Sequence, residues 1–318
     1  MKYFSNASVP LSQLLSVLKK HNENSCTANN KITCIGHDKI DVDSFFSGFL
    51  LSKLLCYLGI RSEFIILDSV QLDDTYHVIK NVTGIDIRSF ASTEEKKSRN
   101  LFLVDHYETK HAGTVIGCID HHPTLQENVY PFSYVKNSCA ATYIVYELMK
   151  EANYPLTAKE ITYVVLAMLV DTVAFQSTKT VPEEVIIAQK LAKLFHLDYN
   201  YLKRMSLCLT PIETMNIAEI TSNGQKNYNY NGHKVISSYV QLYGTPCEET
   251  IQNWIHHIKE TVITNNLDLA VFIIFDTENS KTYEYQISRN LCDRIVHNII
   301  LSRGKNIMPK IESKFSSM

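Results

Sequence analysis

Gly36-His37-Asp38-Lys39-Ile40-Asp41-Val42-Asp43-Ser44 follows KITCI (31–35) and precedes FFSGFLLSKLLCYLG (45–59). KITCIG, 31–36, has the short apolar run of a buried strand, and residues 44–59 have the length and apolar density of a helix. Strand, turn and helix in that order is the building unit of a parallel α/β sheet. The turn between them carries one imidazole and three carboxylates. Working outward, three more blocks set Asp or His directly after an apolar run: Val104-Asp105-His106, Asp120-His121-His122 and Val170-Asp171-Thr172. Ligands of a doubly wound parallel sheet collect beyond the carboxyl ends of its strands, so four such strand ends are expected to converge on one crevice. Carboxylate oxygens mixed with imidazoles suit manganese, cobalt, iron or zinc, and two ions about 3.5–4 Å apart are the usual apparatus of in-line phosphoryl chemistry.

The flanking pattern extends the same architecture. Leu11, Leu14, Leu15 and Leu18 fall at helical spacing after Ser8 or Pro10, which predicts a helix over 8–21. SEFIILD (62–68), NLFLVD ending at Asp105 and VIGCID ending at Asp120 read as strands, with a helix from Asp74 to Val82 between the first two. From Ser138 the periodicity becomes helical: AATYIVYELMKEA, AKEITYVVLAMLVDT with Asp171 within or at its end, PEEVIIAQKLAKLF, and a last helix near Tyr199–Cys208. Residues 211–225 lose periodicity and gather Thr, Pro, Asn, Ser and Gly, as a linker does. A second unit, 226–318, opens on YNYNGHKVISSYVQ, whose Asn231-Gly232 signals a hairpin. It continues with the helix EETIQNWIHHIKETV and the strand LAVFIIF. The expected domains are therefore 1–210, a linker 211–225, and 226–318.

Composition narrows the class. A chain of 318 residues favours two units. Its net charge of −2 supplies no basic excess for extended nucleic-acid binding but leaves small anions open. Eight cysteines occur without a C-x-x-C pair, no signal layout opens the chain, and no apolar run reaches the roughly 20 residues of a spanning helix. Free thiols, a cytoplasmic location and no membrane partner are the expectation.

Each acidic block has a plainer reading. Asp43 could be a helix N-cap before Ser44. With His37 and Asp41 in the same turn, ligation is the stronger reading, because carboxylates that close need positive charge between them. Asp105 and Asp120 could be turn formers. In Asp120-His121-His122 adjacent imidazoles point in different directions, so one can bind metal while the other faces substrate and Asp120 orients an imidazole. A carboxylate at Asp171, after LAMLV, requires compensation by a metal, a helix N-terminus or the Thr172 hydroxyl. His256-His257 lies in a helical run with no carboxylate in the motif and is assigned no chemistry.

These residues resemble the DHH phosphoesterase superfamily, and within it the manganese-dependent (family II) inorganic pyrophosphatases. GHDKIDVDS resembles that family's GHxxPDTDS, LVDHYE its LVDHNE, IDHHP its DHH block and LVDTVAFQST its SDTLLFKSP. Lys226-Asn227-Tyr228 with NYNGHKV resembles the opening of its smaller second domain, and LSRGKNIMPKIE its terminal SRKKQVVPxLE. The resemblance implies that His37, Asp41, Asp43, Asp105, His121 and Asp171 bind two Mn2+ or Co2+ ions, with Asp105 bridging them. It implies that His122 serves the leaving side, that Lys226, Arg303 and Lys305 hold the phosphates, and that Mg2+ accompanies the substrate. The implied reaction is hydrolysis of pyrophosphate to two phosphates by a hydroxide held between the ions. The implied fold is a doubly wound, mainly parallel N-terminal domain plus a smaller α/β domain, with the active site in the cleft between them, in a homodimer. Ile40, Gly304 and Asn306 depart from the family's Pro, Lys and Gln. Competing readings are a phosphodiesterase for short oligonucleotides or cyclic dinucleotides, whose GGGH block is missing, a short-chain polyphosphatase, and a binding protein with weakened turnover.

Overall fold

The computed structural model describes residues 9–23, 31–67, 70, 74–92, 100–108, 113–122, 129–207, 210–213 and 215–316; Ser8, Cys26, Asp68 and Cys208 lie outside them. Contacts divide the chain into Met1–Asp171 with Thr180–Leu202, and Thr172–Lys179 with Lys203–Met318.

The first unit runs α1 (Val9–Glu23), β1 (Ile32–Ile35), α2 (Val42–Tyr57), β2 (Ser62–Phe64), α3 (Asp74–Thr83), β3 (Asn100–Val104), β4 (Thr114–Asp120), β5 (Phe132–Val135), α4 (Ala141–Glu151), α5 (Ala158–Asp171) and α6 (Pro182–Leu194), with α7 (Tyr199–Leu207) crossing the division. Its five strands are all parallel in the order β2-β1-β3-β4-β5. That is one of the two common doubly wound orders, and its direction reverses between β1 and β3, which opens a crevice at their carboxyl ends. The four residues of β1 are all buried, as continuous apolar strands of a covered parallel sheet are. Most of α2 is buried too; Phe45 meets Phe64 edge-on at 5.2 Å and Phe46 stacks on Tyr163 at 4.7 Å. Leu11, Leu14 and Leu18 bury the apolar stripe of α1.

Two expectations change here. Asp171 closes the helix α5 rather than a strand, so three strand ends and one helix end carry the acidic blocks. The strand β5 was not anticipated: Phe132-Ser133-Tyr134-Val135 lies at the sheet edge, only Phe132 is buried, and the four residues carry too little pattern to separate from loop.

The second unit contains α8 (Ile217–Thr221), β6 (Lys226–Tyr230), β7 (His233–Leu242), α9 (Glu248–Thr264), β8 (Leu269–Asp276), β9 (Lys281–Ile287), β10 (Cys292–His297) and α10 (Met308–Ser316). The sheet order is β10-β9-β8-β7-β6; β7 and β8 pair in parallel and the others antiparallel. Asn231 and Gly232 both take positive φ, 51° and 89°, as a two-residue hairpin of this sequence requires. Trp254, Ile255 and Ile258 of α9 pack on one face of the sheet, and Met308 and Ile311 of α10 on the other. The stretch 211–225 is not a bare linker. Asn216 and Glu219 form a reciprocal capping box that starts α8, and Ile220 enters the α9 core. The sequence reading assigns neither β9 nor β10; LCDRIVHNII, which holds β10, mixes exposed apolar and charged positions along an edge strand. His256 and His257 lie on α9, where His257 Nδ1 is 2.9 Å from Thr221 Oγ1.

Candidate metal centre

The crevice is furnished by the ends of β1, β3 and β4. After β1 the chain folds back so tightly at Gly36 that a Cβ there would lie 2.3 Å from Ser44 Oγ and 2.5 Å from Ile40 Cδ1, so only glycine fits. The fold-back lets Ser44 Oγ accept the His37 N–H at 2.9 Å and lets Asp41, in extended conformation, cap α2 by accepting the Ser44 N–H at 2.9 Å. Asp41, not Asp43, is therefore the N-cap. Asp43 enters the first turn of α2 and turns inward, where its two oxygens accept the Ala141 and Thr142 N–H groups at 2.7 and 2.8 Å. Those are orphan donors at the start of α4, whose own cap position is Ala140 and makes no side-chain bond. Nothing in the local sequence of 36–44 announces that pairing. After β3, Asp105 turns the chain with φ 63°, a left-handed conformation that Asp and Asn tolerate better than most residues.

Six predicted ligands come together. His37 Nε2 lies 3.2 Å from Asp41 Oδ2 and 3.3 Å from Asp105 Oδ2. His121 Nε2 lies 3.2 Å from Asp105 Oδ1, 3.6 Å from Asp171 Oδ2 and 3.7 Å from Asp43 Oδ2. The donors thus form two triads, His37-Asp41-Asp105 and Asp43-His121-Asp171, and Asp105 offers a different carboxylate oxygen to the histidine of each. Both imidazoles are oriented by main chain: His37 Nδ1 donates to the Asp38 carbonyl at 2.6 Å and His121 Nδ1 to the Ser138 carbonyl at 3.0 Å. A carbonyl only accepts, so each Nδ1 carries a proton and Nε2 is the atom that each ring turns toward the triad, where a metal would take the place of any proton on it.

Asp120 takes no part in either triad. Its Oδ1 accepts the His121 and His122 N–H groups at 2.7 and 3.1 Å and lies 2.9 Å from His122 Nδ1. His122, with 40% of its side chain exposed, is held beside the triads, its Nδ1 3.7 Å from Asp105 Oδ1. It forms a third donor group with Asp105 and His121.

Asp43 and Asp105 are each only 2% exposed, and stacking their charges together is costly. Burial and the neighbouring Asp105 push Asp43 up to about 8. Burial disfavours the charged form of His121, but the Asp105 carboxylate beside its Nε2 and the charges of Asp171 and Asp43 outweigh that and push it up to about 9. Burial likewise opposes ionisation of Asp105 and Asp41, and there the adjacent imidazoles win and lower both. Among the described residues, buried Asp105 Oδ1 and Asp120 Oδ2 have no hydrogen-bond partner. An excess of buried carboxylates, an orphaned Asp105 oxygen and two imidazoles with Nε2 turned inward fit a pair of divalent cations, which would supply positive charge in place of the protons.

The sign of the pH dependence follows. In the metal-free protein, the stability from holding His121 protonated is complete below its ordinary 6.5 and is lost as pH rises through about 9; Asp43, raised from 3.8, loses its contribution through about 8. The lowered Asp41 and Asp105 act only below their ordinary 3.8, outside this window. Chelator-treated protein should therefore show a melting temperature that falls from pH 3.8 to about 9, most steeply above 6.5 where both groups contribute, and saturating Mn2+, which replaces those protons, should abolish the fall. A flat metal-free profile would contradict this electrostatic account.

The predicted phosphate residues all belong to the second unit. Lys226 is exposed at the start of β6. Arg303 Nη1 donates to the Gly224 carbonyl at 2.5 Å, and its guanidinium lies 5.1 Å from the Tyr239 ring centroid. Arg303 and Lys305 sit in a π-helical turn, Arg303–Ile307, that leads into α10, so they mark a helix entry rather than a helix end. Ser302 Oγ accepts the Lys305 N–H at 3.2 Å, and Asn306 Oδ1 accepts the Ser302 N–H at 2.9 Å and the Thr178 hydroxyl. Asn306 thus has a local role in shaping the turn. Thr172 uses its hydroxyl to accept the Phe175 N–H at 2.9 Å, bracing a left-handed turn at Val173, Ala174 and Phe175.

Residues 31–170 match the N-terminal domain of the DHH family. Over 89% of its length the chain is 24% identical to a manganese-dependent inorganic pyrophosphatase from Methanocaldococcus jannaschii, of which it covers 98%. It is 21% identical to a Bacillus cereus (strain 03BB102) protein named as a manganese-dependent inorganic pyrophosphatase, over 90% of this chain and 99% of that one. Among solved structures, one from Methanococcus jannaschii described as a family II inorganic pyrophosphatase shares the fold with a TM-score of 0.70 at 20% identity, covering 90% of this chain and 99% of that one. An exopolyphosphatase-related protein from Bacteroides fragilis matches at 0.50 and 15% identity, over 89% and 86%.

Proposed function

We propose, for a chain whose residues 31–170 match the N-terminal domain of the DHH family and which resembles the manganese-dependent inorganic pyrophosphatases, that it hydrolyses inorganic pyrophosphate to two phosphates. The coarser reading, a metal-dependent hydrolase of phosphoester or phosphoanhydride bonds, underlies the finer one. The observation that supports it most is the pair of donor triads that divide the two oxygens of Asp105 between them.

In this reading His37, Asp41 and Asp105 would hold one Mn2+ or Co2+, and Asp43, His121 and Asp171 the other, with Asp105 common to both. Ions bound there would neutralise phosphate charge and lower the pKa of an attacking water, with Mg2+ accompanying the substrate. His122, oriented by Asp120, would deliver a proton or hydrogen bond to a phosphate oxygen as the anhydride opens. Lys226, Arg303 and Lys305 would bind phosphate oxygens. A homodimer and a cytoplasmic location belong to the same reading. Among the described residues no helix is long and apolar enough to cross a membrane, and the six described cysteines form no disulfides.

The test is hydrolysis of pyrophosphate and tripolyphosphate, read as phosphate release, and of a linear and a cyclic dinucleotide, read as nucleotide products by chromatography, each with Mn2+, Co2+ and Mg2+ supplied separately. Rapid release from pyrophosphate alone, with Mn2+ or Co2+, supports the reading. Cleavage of a dinucleotide with pyrophosphate untouched replaces it with phosphodiester hydrolysis.

Gly304 supplies a second test. A Cβ added there meets nothing within 4 Å, so a larger side chain fits. A charge-assisted contact contributes about 1.5–3 kcal/mol, so Gly304→Lys should tighten pyrophosphate binding about tenfold or more. Titration calorimetry with a non-hydrolysed diphosphonate would read this; unchanged affinity removes the terminal turn from the phosphate site.

A further inference from the structure

One five-residue segment steadies ligands of the metal centre from behind. The Ser138 carbonyl accepts from His121 Nδ1, and three residues later the Ala141 and Thr142 N–H groups hold the two oxygens of Asp43; the Thr142 hydroxyl also donates to the Asp43 carbonyl at 3.0 Å. His121 and Asp43 belong to the same donor triad. Two residues of that triad, 78 positions apart in sequence, thus lean on the same short piece of chain.

That piece is itself held by Glu184, in the first turn of α6 and 4% exposed. One oxygen, Glu184 Oε2, accepts the Cys139 N–H at 2.7 Å and the Ser138 hydroxyl at 3.2 Å. A buried carboxylate is retained at a cost unless its bonds matter, and here both bonds end on the residues that carry the His121 anchor. We propose that Glu184 is a positioning residue that holds His121 and Asp43 in ligand geometry through Ser138–Thr142. It touches neither the ions nor the substrate. Without its two acceptor contacts the Ser138 carbonyl is no longer pinned, the His121 ring gains freedom to rotate, and the start of α4 loosens its hold on Asp43. The inference rests on the metal-binding reading given above and not on the identity of the substrate.

The experiment is Mn2+ titration by calorimetry, without substrate, on the full chain. Outer-shell partners of metal ligands typically govern affinity by 10–100-fold, so Glu184→Ala should weaken binding by about that factor, while Glu184→Gln, whose amide oxygen still accepts the Cys139 N–H, should stay within about threefold of the wild type. The control is Glu160→Ala. Glu160 is as buried, braces Thr157 and Tyr154 in the same unit, and has no bond to Ser138–Thr142, so it should lower the melting temperature and leave Mn2+ affinity unchanged. In the metal-free protein the Nδ1–H resonance of His121 should be sharp in the wild type and broaden in Glu184→Ala alone. Should that variant not fold, Glu184→Asp, which withdraws the carboxylate by one methylene, is read the same way. Wild-type Mn2+ affinity in Glu184→Ala, or an equal loss in Glu160→Ala, overturns the inference. Weakened binding in Glu184→Ala from a wild type that releases no phosphate from pyrophosphate would uphold it and remove only the proposed substrate.

Discussion

Asp105→Asn should lose tight binding of both ions together and lower pyrophosphate turnover on the order of 10³-fold or more, since metal charge stabilisation is several kcal/mol and each 1.36 kcal/mol is tenfold. The reason is its place between the triads. Its Oδ2 serves the side of His37 and its Oδ1 the side of His121, at 3.3 and 3.2 Å. Asparagine keeps the size of the side chain and tolerates the φ of 63° at this position, so the backbone need not move. What disappears is the negative charge and one of the two acceptor oxygens, which an NH2 donor replaces. Calorimetry gives the stoichiometry and phosphate release the rate. A variant that still binds two ions tightly, or loses only one of them, would deny Asp105 its shared position.

His122→Gln separates proton delivery from metal binding. The Asp120 carboxylate holds His122 by both its main chain and its ring, and that bond fixes which nitrogen faces away. Glutamine can still donate to Asp120 but cannot give up a proton near neutral pH. General acid–base groups contribute typically 10²–10⁴-fold, so turnover should fall on the order of 10²-fold or more while Mn2+ affinity is retained. Unchanged turnover would leave His122 with no chemical role. A loss of metal in proportion to activity would instead make it a ligand, a part for which the donor group Asp105-His121-His122 has the composition.

Local chemistry was legible wherever it depends on a few consecutive residues. The apolar run of β1, the stripe of α1 and the Asn231-Gly232 hairpin follow from periodicity and backbone preference. The capping box at Asn216 and Glu219 is also a short-range signal and could have been read, but its helix is five residues long and lay among turn formers. Short edge strands such as β5 and β10 were not readable, because one exposed face and an open edge impose little pattern. The same limit hid the functional part of Ser138, whose contribution is a main-chain carbonyl that any residue type could supply.

The amino-acid sequence by itself determined the α/β class, the acidic and imidazole donors at the carboxyl ends of β1, β3 and β4, and Asp171 at the close of a long apolar run, since each rests on side-chain type and local spacing. Only the tertiary structure decided that Asp41 caps α2 while Asp43 is held by α4, that Asp105 lends one oxygen to each triad, and that Glu184 stands behind His121. Those facts depend on which strands become neighbours in the order β2-β1-β3-β4-β5 and on hydrogen bonds spanning 17 to 99 residues of chain, and no local preference encodes a partner that far away.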